Sequence, residues 1–406
     1  MAQLDQSFGL SALQEGLPPI AEKITAIADP VESRHSSIDE MSPPATEVAS
    51  GAALSFKDYV VKTTLCGIPV GLTYLAEGAA NIIWCIDYRN EKPLFGPEGP
   101  SCILRTRKYL EGEMPVDTLQ IYENILECER YLPKDSVLTP VCVHIEHSLP
   151  KALNKLLAWS ESTNPPLRPL DRHRSRVIDD RNALILPNLI PSEGSGNLLF
   201  EFKPKWLLQS PTAPEGYRRC RTCAYDAKRG RTNDGKTFCP LVLVEGRREE
   251  VAEIVQRLCG RWKTHGGRDD VDEAQKEKVA PLLAEALTGP GKKILTALRK
   301  AQEQDSQGVL ECDKLPRDDK ERAAQMNKVA HAMTYRDCTM FVTVKEAQGS
   351  FTADIKLADL DLKEATEGRV KKWVEIERSL IDEGWYTGKE KDPGQVQHHG
   401  CSFWNT

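Results

Sequence analysis

Residues 198–206 read LLFEFKPKW. Apolar and polar side chains alternate as in a half-buried strand, and two lysines then flank a proline. Pro204 fixes its own φ and biases Lys203 towards an extended backbone, so Lys203 and Lys205 are predicted to project from one side of the chain. Two ammonium groups that close repel unless an anion sits between them, and a multiply charged phosphate is a suitable anion. Taken alone, the stretch also reads as a solvated strand end. What decides between the two is the rest of the chain.

The chain has 406 residues, too many for one ordinary core, so two or three structural units are expected. Hydrophobic residues make up 40% and charged residues 28%, an ordinary soluble composition. The net charge of -6 argues against a general nucleic-acid or membrane binder, so any local cluster of Arg and Lys needs its own explanation. There is no long apolar run to span a membrane and no export signal. Twelve scattered cysteines are then read as free thiols or metal ligands, in a nuclear or cytoplasmic setting.

Residues 1–54, rich in Ser, Pro, Glu and Ala, are read as a flexible N-terminal tail. Strands are predicted at 59–61, 70–75 and 81–88, with the small-residue turn Ala76-Glu77-Gly78-Ala79-Ala80 between the last two. Such a hairpin can lay backbone N–H groups over phosphates, and it is also an ordinary hairpin. Residues 102–107 (CILRTR) form a strand whose Arg105 and Arg107 share a face. A helix over 117–130 carries the stripe Leu119, Tyr122, Ile125 and Leu126. Arg168, Arg172, Arg174 and Arg176 put four guanidiniums in nine residues, either an anion site or a solvated loop. An apolar strand is predicted over 183–190 (ALILPNLI), with a Ser/Gly hinge after it.

Beyond Trp206, Cys220 and Cys223 form a CxxC, and Cys239 follows sixteen residues later. This spacing resembles part of a Zn²⁺ site, with no fourth ligand at diagnostic spacing, and free thiols are the alternative. Helices are predicted over 249–262 and 271–302, with a break at Gly289-Pro290-Gly291, and the charged residues 304–328 are read as solvated. Two alternating strands, 333–344 and 350–362, are joined by a turn at Gln348-Gly349. Asp337 starts the first strand and Asp359 ends the second, twenty-two residues later, so a hairpin brings both to one end. Hard oxygen ligands there suit Mg²⁺; solvated acids are the plainer alternative.

With these parts together, the sequence resembles a fungal inositol-pentakisphosphate 2-kinase over about residues 58 to 375. The likeness lies in Glu77-Gly78-Ala79-Ala80-Asn81, Leu104-Arg105, Glu201-Phe202-Lys203-Pro204-Lys205, Arg336-Asp337-Cys338-Thr339, and Asp359 to Lys363 (DLDLK). The resemblance implies ATP held by Gly78, Ala79, Ala80, Asn81, Arg105, Glu201 and Asp359. It implies Mg²⁺ on Asp337 and Asp359, with Asp337 orienting or deprotonating the attacking hydroxyl and Lys203 beside the transferred group. Inositol pentakisphosphate would meet Arg172, Lys203, Lys205, Arg229, Lys363 and Arg369. Departures are visible. The family's R-F-x-M-H-Q segment appears as Arg221 to Asp226, with Tyr225 in place of the His, and the next basic residue is Lys228 or Arg229. The asparagine-rich substrate loop has only residues 263–268 (KTHGGR) as a counterpart, and Arg369 and Trp373 are matched by their mutual offset.

The implied fold is α/β and two-lobed, distantly like a protein kinase, with ATP between the lobes. The expected division is a sheet-rich N-lobe at 55–190, a hinge at 191–200 and a C-lobe at 201–406. The expected activity is phosphorylation of the 2-hydroxyl of inositol 1,3,4,5,6-pentakisphosphate to the hexakisphosphate (phytate), by a monomer with no nucleic-acid partner. A kinase for another inositol phosphate or a lipid headgroup, and a scaffold without turnover, are the alternatives.

Overall fold

The structure is a computed structural model that describes residues 59–88, 101–109, 116–163, 166–192, 195, 197–231, 237–257, 262–263, 273–347, 350–389 and 401–404. The tail assigned to 1–54 and nearly all of 263–268 lie outside the described residues. The chain forms two compact units, Met1–Tyr122 with Pro140–Asn188, and Glu123–Thr139 with Leu189–Thr406. The class is mixed α/β.

The first unit is built on strands β1 (Val60–Leu65), β2 (Ile68–Glu77), β3 (Asn81–Asp87) and β4 (Cys102–Tyr109). They are followed by β5 (Val141–His144), β6 (Arg176–Val177) and β7 (Asn182–Pro187). The sheet order is β1-β2-β3-β4-β7-β5, with β6 also paired to β4, and every pairing is antiparallel. Cys66 and Gly67 both take positive φ (51° and 78°), which gives the tight turn that lets β1 fold directly onto β2. Alternation then sends Leu72, Ile82, Trp84 and Leu104 to one face, where they are fully buried. Helix α2 (Leu149–Ser162), preceded by α1 (Thr118–Glu129), brings Leu149, Leu153 and Leu157 to the same cluster. Trp84 keeps its polar atom satisfied there, its Nε1 donating to Thr106 Oγ1 at 2.9 Å.

In the second unit β8 (Leu198–Phe202) lies between β10 (Thr339–Ala347) and β9 (Trp262–Lys263), and β11 (Ser350–Ala358) flanks β10. Phe200 and Phe202, on the inward face of β8, are buried. Around this sheet run α3 (Arg221–Lys228), α4 (Pro240–Glu245), α5 (Arg248–Arg257), α6 (Glu273–Thr288) and α7 (Pro290–Gln302). They are followed by α8 (Glu311–Lys314), α9 (Lys320–Asp337) and α10 (Glu367–Asp382). Gly289 and Pro290 divide α6 from α7, with Pro290 at the first turn where its missing N–H costs nothing. Asp319 and Thr366 cap α9 and α10 by accepting from the N–H groups of Glu321 and Arg369. No described helix is long and apolar enough to cross a membrane.

Several expectations need correction. On α1 the packed face is Ile121, Ile125 and Cys128, while Leu119 is exposed. Residues 123–139 belong with the second unit. Val137 bridges Leu357, Leu138 N–H donates to the Leu357 carbonyl and Leu357 N–H to the Ser136 carbonyl, so this segment extends the edge of β11. The strand expected over 183–190 is β7 and ends at Pro187, and the segment assigned as a hinge already contains the start of β8 at Leu198. Residues 304–328 are not a solvated run: Val309, Cys312 and Met326 pack with Trp206, Val329, Met333, Val370 and Val374. Charge density misled there, because Asp305 and Arg322 are themselves buried and paired.

Candidate active site

Strand β8 ends at Phe202, and the two lysines follow it in irregular backbone. Lys205 is left-handed, with φ +62°, rather than a continuation of the strand. Both lysines nonetheless turn to one anion. Lys203 Nζ donates to Asp337 Oδ1 at 2.9 Å and also to the Asp337 carbonyl at 2.9 Å. Lys205 Nζ lies 3.8 Å from the same Oδ1. Lys363 Nζ donates to the other oxygen, Oδ2, at 2.9 Å. Burial acts to raise the Asp337 pKa, yet Lys363 and Lys203 outweigh it and hold the carboxyl at about 2.

Residues 333–337, expected to open a strand, instead complete α9, so Asp337 ends that helix, and Asp359 follows β11. Because Thr339 pairs with Ala358 in the β10–β11 register, both acids stand at one end of that hairpin. Thr339 Oγ1 donates to Asp359 Oδ2 at 2.7 Å, and Asp359 itself is exposed with φ +57°. A carboxylate held in the left-handed region beside a second one is a strained, polar arrangement of the sort that functional sites retain. Glu201 sits on β8 opposite Phe341, three positions before Pro204.

Beneath the lysines lies Trp206. The Arg336 guanidinium carbon is 3.6 Å from its ring centroid and that of Arg221 is 4.7 Å away. Each cation has a buried partner: Arg336 Nη1 donates to Asp305 Oδ2 at 2.9 Å, and Arg221 Nε to Glu377 Oε2 at 3.3 Å. Burial pulls the Arg336 pKa down to about 10 against the opposing pull of Asp305, so it stays charged at neutral pH. Tyr225 lies under Arg221 and Arg229, 5.2 Å and 5.4 Å from their guanidinium carbons. Its ring packs against both guanidiniums. Lys228 pairs with Glu383 at 2.7 Å. Arg369 stands in the first turn of α10, its N–H donating to Thr366 Oγ1. Trp373, on the same helix, packs at the edge of the Trp206 cluster.

In the first unit, the turn after β2 closes with Gly78 N–H donating to the Asn81 carbonyl at 3.0 Å and Lys108 N–H to the Ala80 carbonyl at 2.9 Å. Gly78 has open space where a Cβ would stand. The Asn81 amide, oriented by its neighbours, turns its oxygen to Arg105, with Nε at 3.2 Å and Nη2 at 3.0 Å. Arg105 is buried, on β4. Glu77 anchors the turn: Arg168 Nε and Nη2 donate to its two oxygens at 2.7 Å and 2.8 Å, and Lys108 Nζ donates to Oε2 at 3.0 Å. Burial alone would push the Glu77 carboxyl up; the Arg168 and Lys108 hydrogen bonds reverse this and hold it down.

The arginine cluster therefore divides. Arg168 is buried and paired with Glu77 and Glu161, and Arg176 pairs with Glu161 at 2.8 Å. Arg172 is the one turned towards the turn, its Nη1 3.4 Å from the Gly78 carbonyl, with Asp171 beside its Nε at 3.2 Å.

The three cysteines of the expected metal site meet a fourth, Cys401. The sulfur atoms of Cys220, Cys223, Cys239 and Cys401 all lie within 4.8 Å of one another. Cys220 and Cys401 are each 3.9 Å from Cys239. A tetrahedral Zn–S₄ site with bonds of about 2.3 Å has sulfur–sulfur edges of about 3.8 Å. Sequence spacing could not find Cys401, which stands 162 residues after Cys239.

A relative from Yarrowia lipolytica (strain CLIB 122 / E 150), named inositol-pentakisphosphate 2-kinase, is 33% identical over 186 residues. That match takes in 46% of this chain and 53% of the relative, so the chain spans about half the length of the relative it matches. The family model for inositol-pentakisphosphate 2-kinase matches residues 74–379, a span that holds the glycine turn, the lysine pair and both carboxylates. Since that match takes in more than half of the chain, the chain belongs to the inositol-pentakisphosphate 2-kinase family.

Proposed function

We propose that this protein transfers the γ-phosphoryl group of ATP to the 2-hydroxyl of inositol 1,3,4,5,6-pentakisphosphate, giving the hexakisphosphate. The observation that carries the reading is the convergence of Lys203, Lys205 and Lys363 on Asp337, beside Asp359. Phosphoryl transfer needs positioning and charge neutralisation more than covalent chemistry, and this cluster offers both. The substrate oxygen forms the new bond to the γ-phosphorus as the bond to the leaving ADP oxygen breaks.

In this reading Asp337 and Asp359 fit Mg²⁺, two hard carboxylates at one hairpin end, and the ion when bound neutralises charge on the transferring phosphate. With the lysines resting on it, the Asp337 carboxyl is held at about 2 and stays ionised. Its task is to accept the hydrogen bond of the attacking hydroxyl and orient it, taking the proton late in a loose transition state. Without phosphates the three ammonium groups rest on Asp337. With substrate and nucleotide present they turn to phosphate oxygens. Gly78, Ala79, Ala80, Asn81 and Arg105 serve the nucleotide phosphates, and Glu201 the nucleotide. Arg172, Arg229 and Arg369 serve the inositol phosphates.

The tetrad of Cys220, Cys223, Cys239 and Cys401 is proposed to hold a structural Zn²⁺, a closed four-sulfur site with no position for substrate. Tyr225, in place of a phosphate-binding His, keeps a kinase for a different inositol phosphate as the second reading.

The test is ADP production with Mg-ATP and a panel of inositol phosphates, on the wild type and on Asp337→Ala. Turnover with the pentakisphosphate that falls by at least about 10³-fold in the variant supports the reading. Tight binding of inositol phosphates with no turnover on any of them sinks it in favour of a scaffold.

A further inference from the structure

Gln302 is the last residue of α7 and is fully buried. Its carboxamide joins the two segments that carry the lysines and Asp337. Nε2 donates to the Lys205 carbonyl at 3.0 Å and to the Tyr335 carbonyl at 3.3 Å, and Oε1 accepts from Leu207 N–H at 3.0 Å. One amide thus grips the backbone on both sides of Trp206 and the last turn of α9, two residues before Asp337. The Gln302 backbone carbonyl also faces Arg336 Nη2 at 3.4 Å.

The chemistry of the grip is specific. A carboxamide supplies two donors for two carbonyls and one acceptor for an N–H; a carboxylate would turn only acceptors towards those carbonyls. The grip is also needed at this point. Lys205 has φ +62°, a region that residues with a Cβ seldom occupy unless their surroundings hold them there.

We propose that Gln302 is a positioning residue for phosphoryl transfer: it sets Lys205, and Lys203 through their shared backbone, against Asp337. The inference rests on the kinase reading of this site. A built-in control is Gln325, also buried, whose Nε2 donates to Asp305 Oδ1 and to the Gly308 carbonyl, both at 3.1 Å. Its hydrogen bonds reach neither lysine segment, and Asp305 keeps its other oxygen on Arg336.

The experiment compares Gln302→Glu, Gln302→Asn and Gln325→Met with the wild type by two readouts. The first is steady-state kinetics with Mg-ATP and inositol pentakisphosphate, resolved into kcat and KM. The second is amine labelling of Lys203, Lys205 and Lys363 followed by mass spectrometry, which needs no turnover. For Gln302→Glu, kcat is expected to fall by about 10²-fold with the KM for ATP held within about twofold. Lys203 and Lys205 should label several-fold faster. Gln302→Asn should lie between, and it decides the matter if Gln302→Glu does not fold. Gln325→Met should lower the melting temperature and leave kcat within about twofold. A folded Gln302→Glu with wild-type kcat and wild-type labelling overturns the proposal, as does an equal loss of kcat in Gln325→Met. If the wild type turns over no inositol phosphate, the kinase reading fails by itself, and the labelling still decides whether Gln302 sets the lysines.

Discussion

Asp337 faces Lys203, Lys205 and Lys363 together, and the sign of its pH dependence follows. Its pKa in the folded protein is depressed to about 2, below the ordinary Asp value of about 3.9. The stability this contributes is therefore present above about pH 3.9 and lost as pH falls towards about 2. Lys363→Met removes the first of the opposing cations, so burial should lift the Asp337 pKa and carry the acid limb of kcat/KM upward. At neutral pH kcat/KM should fall by about 10²-fold, since one preorganised charge is lost. A pH–rate profile checks both, and an unmoved acid limb would count against the assignment. The sequence read KPK as waiting for an outside anion. Only the fold shows that a carboxylate from 134 residues further on already stands there.

At the scale of elements, the turn after β2 is held by buried charge rather than by its glycine alone. Glu77, Lys108 and Arg168 are almost wholly buried, so none has water to fall back on. Arg168→Met leaves Glu77 with Lys108 as its one cation beside the Tyr74 hydroxyl, and Glu161 with Arg176 and the Arg174 N–H, and it is expected to cost about 3–5 kcal/mol, read from the urea midpoint. Arg172→Met should cost less than about 1 kcal/mol in the same measurement, its exposed pair with Asp171 being screened, while weakening inositol-phosphate binding. Comparable urea midpoints for the two variants would show that the division of the cluster is wrong. The cluster was legible from sequence as four guanidiniums in an acidic chain. Which of them face carboxylates was not, because Arg168 meets Glu77 across 91 residues.

Over the whole molecule, the cysteine tetrad ties the segment at Cys401 to the start of α3. Cys220 N–H donates to Cys401 Sγ at 3.2 Å, and Trp404 lies 4.9 Å from the Arg219 guanidinium carbon. Metal analysis of the purified protein is expected to give about one zinc per chain, and Cys401→Ser should lose it and lower the melting temperature. Wild-type protein without zinc, or Cys401→Ser with full zinc, would remove the metal from the account. Because α3 begins at Arg221, which stacks on Trp206, loss of the metal should also loosen the packing around Trp206.

Beyond β5, β6 and β9, which it missed, the sequence by itself determined the strands of both sheets in outline, the β10–β11 hairpin with its two acids at one end, and the family. These rest on alternation, turn residues and short motifs, all properties of neighbouring residues along the chain. The tertiary structure alone decided that residues 123–139 belong with the second unit, that Cys401 completes the tetrad, and that Gln302 joins Lys205 to the end of α9. Each is a contact between residues far apart in sequence, fixed by how whole elements pack. A local pattern carries no record of such a contact, since one side chain is compatible with many distant partners until the core closes.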